Sequence, residues 1–370
     1  MRPLHALPIL VLIAFTISGD CEADEPAGSW ITFLSRRSGG NLLYKMRPDG
    51  SEVTPIFGGE LKDVPGLPPG LTLYREPHWT RQSPDWRFFI TWATDTGLPQ
   101  EKYQSPAHFM IYLGRLEGGP VRILAPDPDE LFAWSPDSKR IAYAVHSVKQ
   151  PHMSPGTTGK SPSTQIVVVG VDGSKEEVVL DKPGWWHVED WSPDGKKLLL
   201  LTQSALSTKY GTSDLVQYDL ARFEAVKGRM PPGLDFASST QIDSLITLLT
   251  GGQPTRTFDD GRYSPDGQRV AVTFSRHQRT PTSEFDPKGF ELGVIELPDA
   301  TMRAVAKYQE GLRGPICWSP DGGEIVFSRY LKDDDKREKA DPNSRLGIWA
   351  IRPDGGQVRF LTTGWSPDWR

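Results

Sequence analysis

Short, largely apolar runs of five or six residues, bounded by turn residues, recur along most of the chain, the pattern of buried β-strands. Ile141-Ala142-Tyr143-Ala144-Val145 and Val270-Ala271-Val272-Thr273-Phe274 are clear cases, each a few residues behind a Ser-Pro-Asp tripeptide. That tripeptide recurs six times, with serines at Ser83, Ser135, Ser192, Ser264, Ser319 and Ser366, spaced 52, 57, 72, 55 and 47 residues apart. The residue before it is aromatic in five copies: Trp134, Trp191, Tyr263, Trp318 and Trp365. After a variable loop comes another strand, as in Gln165 to Val169 or Leu346 to Ile351. A tight turn follows, Pro48-Asp49-Gly50, Val171-Asp172-Gly173 or Pro353-Asp354-Gly355, and then a last strand such as Gln357 to Leu361. Proline presets φ in these turns, Ser and Asp side chains bond nearby backbone groups, and Gly tolerates positive φ.

Each unit is thus a four-stranded antiparallel meander, strands A to D, repeated six times. One small sheet cannot bury both faces alone, so repeated units stack radially. The expected fold is all-β, a six-bladed β-propeller over residues 29–370. Trp365 to Arg370 reads as an A strand with its turn, and Ser29 to Leu34 as a B strand lacking its A strand. The two should complete one blade and close the ring. Ser239 to Leu249, with Ile242, Leu245, Ile246, Leu248 and Leu249, has the spacing of a short amphipathic helix and is expected to cap the rim.

Residues 1–20 read as a signal peptide: Arg2, the apolar run Leu7 to Ile17, then the small residues Ser18 and Gly19. Residues 21–28 form a flexible lead. Cys21 would suit a lipidated start, but Asp20 stands where a lipobox wants Gly, Ala or Ser. The protein is therefore expected to be exported, periplasmic or secreted, with no integral membrane span, since no later stretch reaches eighteen apolar residues. The 36 glycines and 33 prolines suit many short strands joined by turns. With 42 basic against 47 acidic residues the chain lacks the basic excess of a nucleic-acid binder, so no nucleic acid is expected among its partners. Two cysteines, Cys21 and Cys317, make neither a disulfide framework nor a cysteine-rich zinc site.

The Trp-Ser-Pro-Asp-Gly units, at Trp191 to Lys197, Tyr263 to Arg269 and Trp318 to Phe327, resemble the repeat of the TolB-type β-propeller family, as does Phe33-Leu34-Ser35-Arg36 through Asn41. The resemblance covers about residues 29 to 370 and implies the propeller fold and a bacterial envelope setting. TolB itself carries an α/β domain ahead of its propeller, whereas here residues 21–28 alone separate the leader from the first strand. Prolyl-oligopeptidase relatives join such propellers to a serine hydrolase, but no Gly-x-Ser-x-Gly occurs in this chain. Gly156 to Ser161 imitates a P-loop but has Ser154 where the first glycine belongs and no helix to open. No metal site or cofactor is expected.

In an A-B-C-D meander the A–B and C–D turns share one face of the disc, and the B–C loops and D–A connections share the other. Nearly all long segments fall on the second face, where binding usually lives. His78, His108, His146, His152, His187 and His277 all map there, with Trp185, Trp186 and Tyr330. Arg36, Arg276 and Arg329 each follow the serine that closes a B strand, in blades 1, 5 and 6. Three guanidiniums there would suit a carboxylate, a phosphate or an acidic partner segment. The expected function is a non-catalytic exported binding or scaffold protein, a monomer, holding an envelope protein or cell-wall glycan by this face. The alternative is a glycan-active enzyme of polysaccharide-lyase type on the same face, using a histidine or arginine base or a histidine-bound metal. Three convergent His or carboxylate side chains would favour the enzyme.

Overall fold

The computed structural model describes residues 30–38, 42–56, 71–72, 80–95, 108–116, 122–126, 131–146, 163–203 except 175, 214–220, 246–248, 256–279, 285–309 except 298, 311–331 except 313, and 344–369. The leader, the lead with Cys21, and most long loops lie outside these residues. Blade 1 contains β1 (Ile31–Ser35), β2 (Leu42–Met46) and β3 (Thr54–Pro55). Blade 2 is built from β4 (Leu71–Thr72), β5 (Thr80–Gln82), β6 (Phe88–Asp95), β7 (His108–Arg115) and β8 (Arg122–Pro126). Blade 3 holds β9 (Phe132–Trp134), β10 (Arg140–His146), β11 (Ser163–Gly170) and β12 (Glu177–Pro183). Blade 4 holds β13 (Trp185–Trp191), β14 (Lys197–Gln203), β15 (Asp214–Asp219) and β16 (Ile246–Leu248). Blade 5 comprises β17 (Arg256–Tyr263), β18 (Arg269–Arg279), β19 (Phe285–Glu296) and β20 (Thr301–Tyr308). Blade 6 comprises β21 (Cys317–Trp318), β22 (Ile325–Tyr330), β23 (Leu346–Ile351) and β24 (Arg359–Thr363), and β25 (Trp365–Trp369) ends the chain.

Five sheets are simple four-stranded meanders, and blade 2 adds β4 at the far end of β6. The sheet order β25-β1-β2-β3 closes the ring as expected, with Ile31 opposite Trp369 and Leu34 opposite Trp365. This is a six-bladed β-propeller. Two local expectations need correction. The sixth Ser-Pro-Asp makes no turn: Ser366, at φ 52°, is a bulge within β25 and the tripeptide runs along β1. The amphipathic helix also fails where it can be seen, because Ile246–Leu248 form the outer strand of blade 4, with Leu248 opposite Val216. Short apolar runs read equally well at either period, and an unfilled sheet edge decides between them.

Strand alternation explains the packing. Tyr143 points into the seam between blades 2 and 3, and its neighbours Ala142 and Ala144 into the seam between blades 3 and 4. Both faces of a blade are therefore buried, each removed side chain contributing about 1.5–3 kcal/mol. Such clusters fill every seam from 2–3 round to 6–1. At the rim, D-strand arginines reach the C–D turn of the next blade: Arg122 to the Val171 carbonyl (2.6 Å), Arg303 to that of Pro353 (2.6 Å) and Arg359 to that of Pro48 (2.5 Å). Successive Ser-Pro-Asp turns touch as well: the Gly195 turn, at φ 71°, lies against Pro136 of the blade before it. The turn face is thus a self-packed ring, which leaves the opposite face to vary. Among the described residues no helix is long and apolar enough to cross a membrane.

Candidate functional site

Blades 3 and 4 are joined by one residue, Gly184 at φ 97°, between Pro183 of β12 and Trp185 of β13. So tight a connection brings the start of β13 against the ends of β10 and β11. Thr164 Oγ1 donates to the Gly184 carbonyl (2.7 Å) and accepts the Trp186 main-chain N–H (3.3 Å). Its single proton is thereby used, so at the 2.8 Å contact with His146 Nδ1 the imidazole must donate. In the neutral ring this fixes the Nδ1–H tautomer and leaves Nε2 the acceptor. The His146 ring stands edge-on to Trp185 at 4.6 Å and to His187 at 5.5 Å. Trp186, on the other side of β13, packs on the apolar seam and donates Nε1–H to the Pro183 carbonyl (3.0 Å), with Lys182 Nζ 5.8 Å from its ring centre. All four of these aromatic and imidazole side chains are half-buried.

The remaining candidates lie across the ring. Arg329 is buried (8% exposed), its guanidinium 3.9 Å from the Trp349 ring centre and 5.7 Å from that of Tyr308, and it donates to the Tyr330 carbonyl (3.1 Å). It is a stacked element of the blade 5–6 seam, not a cation presented to a ligand. The period-2 pattern explains why: Arg329 shares a strand face with Phe327, which packs in that seam. Arg36 is half-buried 5.7 Å from the Trp365 ring, and Tyr330 is half-buried beside Gly311. Arg276 and His277 sit where β19 bulges against β18, with His277 opposite Pro287. Their side chains, like those of His78, His108 and His152, lie outside the described residues. Among the described residues no three His, Cys, Asp or Glu side chains converge at metal-ligand spacing.

A second constellation escaped the sequence reading. Charged residues stand in the inner strands and are buried: Arg81, Glu189, Asp190, Asp260 and Arg262. The strand pairing shifts between Val188 and Asp190 and again between Phe258 and Asp260, which turns Glu189 and Asp260 towards each other. Arg262 Nη1 lies 3.0 Å from Asp260 Oδ1 and 3.6 Å from Glu189 Oε2, and it also bonds the Glu189 carbonyl. Asp190 accepts the Tyr263 main-chain N–H (2.9 Å), and Arg81 reaches towards the Phe132 carbonyl (3.5 Å). Burial first, then the charge of Asp260, pushes the Glu189 carboxyl well above the usual range; burial also raises Asp260. The signal was present in the sequence, as Glu189-Asp190 stand where blade 3 has Phe132-Ala133, and Asp260-Gly261-Arg262 where blade 6 has Pro315-Ile316-Cys317.

No protein-family model matches the chain. An uncharacterized protein of Agrobacterium fabrum is 26% identical over 227 residues, covering 57% of this chain and 70% of that one. TolB from Acinetobacter baumannii superposes with a TM-score of 0.56 at 13% identity, over 93% of this chain and 67% of that one. A TolB candidate protein from Agrobacterium tumefaciens gives 0.50 at 16% identity, over 92% of each chain. Puromycin hydrolase gives 0.52 at 13% identity, and the chain spans about half of it (53%). At these identities the likeness establishes the fold, the TolB-type propeller, and a fold by itself assigns no activity.

Proposed function

We propose that this chain is an exported binding protein that holds an envelope protein or a cell-wall glycan on the loop face of its propeller. The observation that carries the reading is the patch of His146, Trp185, Trp186 and His187. His146, Trp185 and His187 come from two blades and meet edge-on at His146, which Thr164 holds, while Trp186 is pinned on the other side of β13 by the Pro183 carbonyl; all four are half-buried. Rigid aromatic side chains lose little entropy on binding and anchor both peptide and sugar surfaces. Export rests on residues 1–20. Arg329 takes no part in this reading, because it is spent within the blade 5–6 seam.

The test immobilises the full mature chain, captures ligands from envelope extract and a glycan array, and measures each against wild type and Trp185→Ala with His187→Ala. The double variant should bind at least about tenfold more weakly with an unchanged melting curve. Unchanged affinity would move the site off this patch. Turnover of a bound glycan, lost in His146→Gln while binding persists, would replace the binding reading with the catalytic one.

A further inference from the structure

The inner wall at the seam between blades 4 and 5 holds two wholly buried carboxyls with unequal surroundings. Asp260 is provided for: Oδ1 accepts the Gly261 N–H (2.9 Å) and faces Arg262 at 3.0 Å, and Oδ2 accepts the Ile316 N–H (2.6 Å). Neither oxygen of Glu189 receives a hydrogen bond, and the Arg262 guanidinium comes no nearer than 3.6 Å. Among the described residues the Asp260 carboxylate, itself an acceptor, lies within hydrogen-bonding reach, and the main-chain donor beside it, the Gly261 N–H, is already held by Asp260 at 2.9 Å. Two acceptors can meet there only if one carries a proton, and the better-served member is the one that ionises.

We propose that Glu189 is protonated at neutral pH and donates to Asp260, forming a proton-dependent latch that ties blade 4 to blade 5 and loosens as the pH rises. The surrounding groups agree. β9 offers Phe132, Ala133 and Trp134 without charge, β14 offers leucines, and β21 brings the Cys317 thiol. β13 itself adds Asp190, occupied by the Tyr263 N–H, and the cations are Arg262 and, from β5, Arg81. With Glu189 protonated, the carboxylates of Asp190 and Asp260 stand against the guanidiniums of Arg81 and Arg262, a balanced buried set, whereas ionised Glu189 would add a third carboxylate in contact with Asp260. The raised Glu189 carboxyl is consistent with this, its cause being burial and then Asp260. The sign follows: the folded chain holds a proton that the unfolded chain, with an ordinary value of 4.5, gives up earlier. Stability from the latch is therefore full below about pH 4.5 and is lost as the pH rises towards the folded value.

The experiment follows chemical denaturation of the full chain between pH 5 and 9 in wild type and Glu189→Gln, whose amide donates to Asp260 at every pH. Histidines titrate alike in both, so the difference between the two curves isolates the latch. At its steepest, the unfolding constant of wild type should rise about tenfold per pH unit relative to Glu189→Gln. A difference that does not change with pH overturns the proposal. Should Glu189→Gln fail to fold, infrared spectra of wild type at neutral pH decide. A protonated-carboxyl band that shifts when glutamates are labelled with carbon-13 supports the latch, and absence of such a band, or a shift only on aspartate labelling, refutes it.

Discussion

A serine hydroxyl has one proton and two lone pairs, and each Ser-Pro-Asp turn uses them in the same way. Ser192 Oγ donates to Asp194 (2.6 Å) and accepts the Lys197 N–H (2.8 Å), while the same Asp194 oxygen accepts the Lys196 N–H (3.1 Å). Ser192→Ala should therefore cost about 1–2 kcal/mol in denaturant titrations, since it strips the Lys197 N–H of its acceptor. The serine hydroxyls of Ser192, Ser264 and Ser319 hold Asp194, Asp266 and Asp321 below the ordinary carboxylate value of 3.8. Their contribution is present above about pH 4 and lost as the pH falls through the folded values, the opposite sense to Glu189. Each Ser→Ala change should therefore make the acid limb of the stability curve shallower, and an unchanged slope would show that the serine hydroxyls do not lower these carboxyls. These turns were legible because their bonds span five residues of one chain segment. Arg329 was not, because whether a strand-end arginine faces a ligand or a seam depends on the neighbouring blade, which here supplies Tyr308.

Among the elements, β25 does what no repeat predicts from its own sequence. It carries the same tripeptide as the other turns but lies along β1, a partner from the other end of the chain. The preceding Gly364 has φ 151°, and a Cβ there would stand 2.6 Å from the Leu34 carbonyl oxygen. Gly364→Ala is expected to broaden the melting transition, and removal of residues 364–370 to abolish cooperative melting and expose the edge of β1 to association. A truncated chain that melts like the parent would show that ring closure does not depend on this strand. Closure was readable in advance because an A-type and a B-type strand stood unpaired. The outer strand β16 was not, since its three residues hold no period of their own and take their conformation from β15.

For the whole molecule, the two faces of the disc are built by different rules. One is a ring of repeated turns packed on each other and clamped by Arg122, Arg303 and Arg359. The other carries individual side chains, of which His146, Trp185 and His187 converge where a single glycine joins two blades. The sequence indicated this face through topology and these residues through their chemistry. It did not show that His146, Trp185 and His187 meet, because the meeting depends on Thr164 and Gly184, two residues with no chemical signature of their own. The central claim is that ligand is held on this face at the blade 3–4 junction. The measurement that tests it most directly is photo-crosslinking of the captured ligand, with a benzoylphenylalanine placed at Trp185 on the loop face or at Asp172 in the turn face of blade 3. The account predicts crosslinks from position 185 and none from position 172. Crosslinks from position 172, or from neither position while affinity is intact, would contradict it.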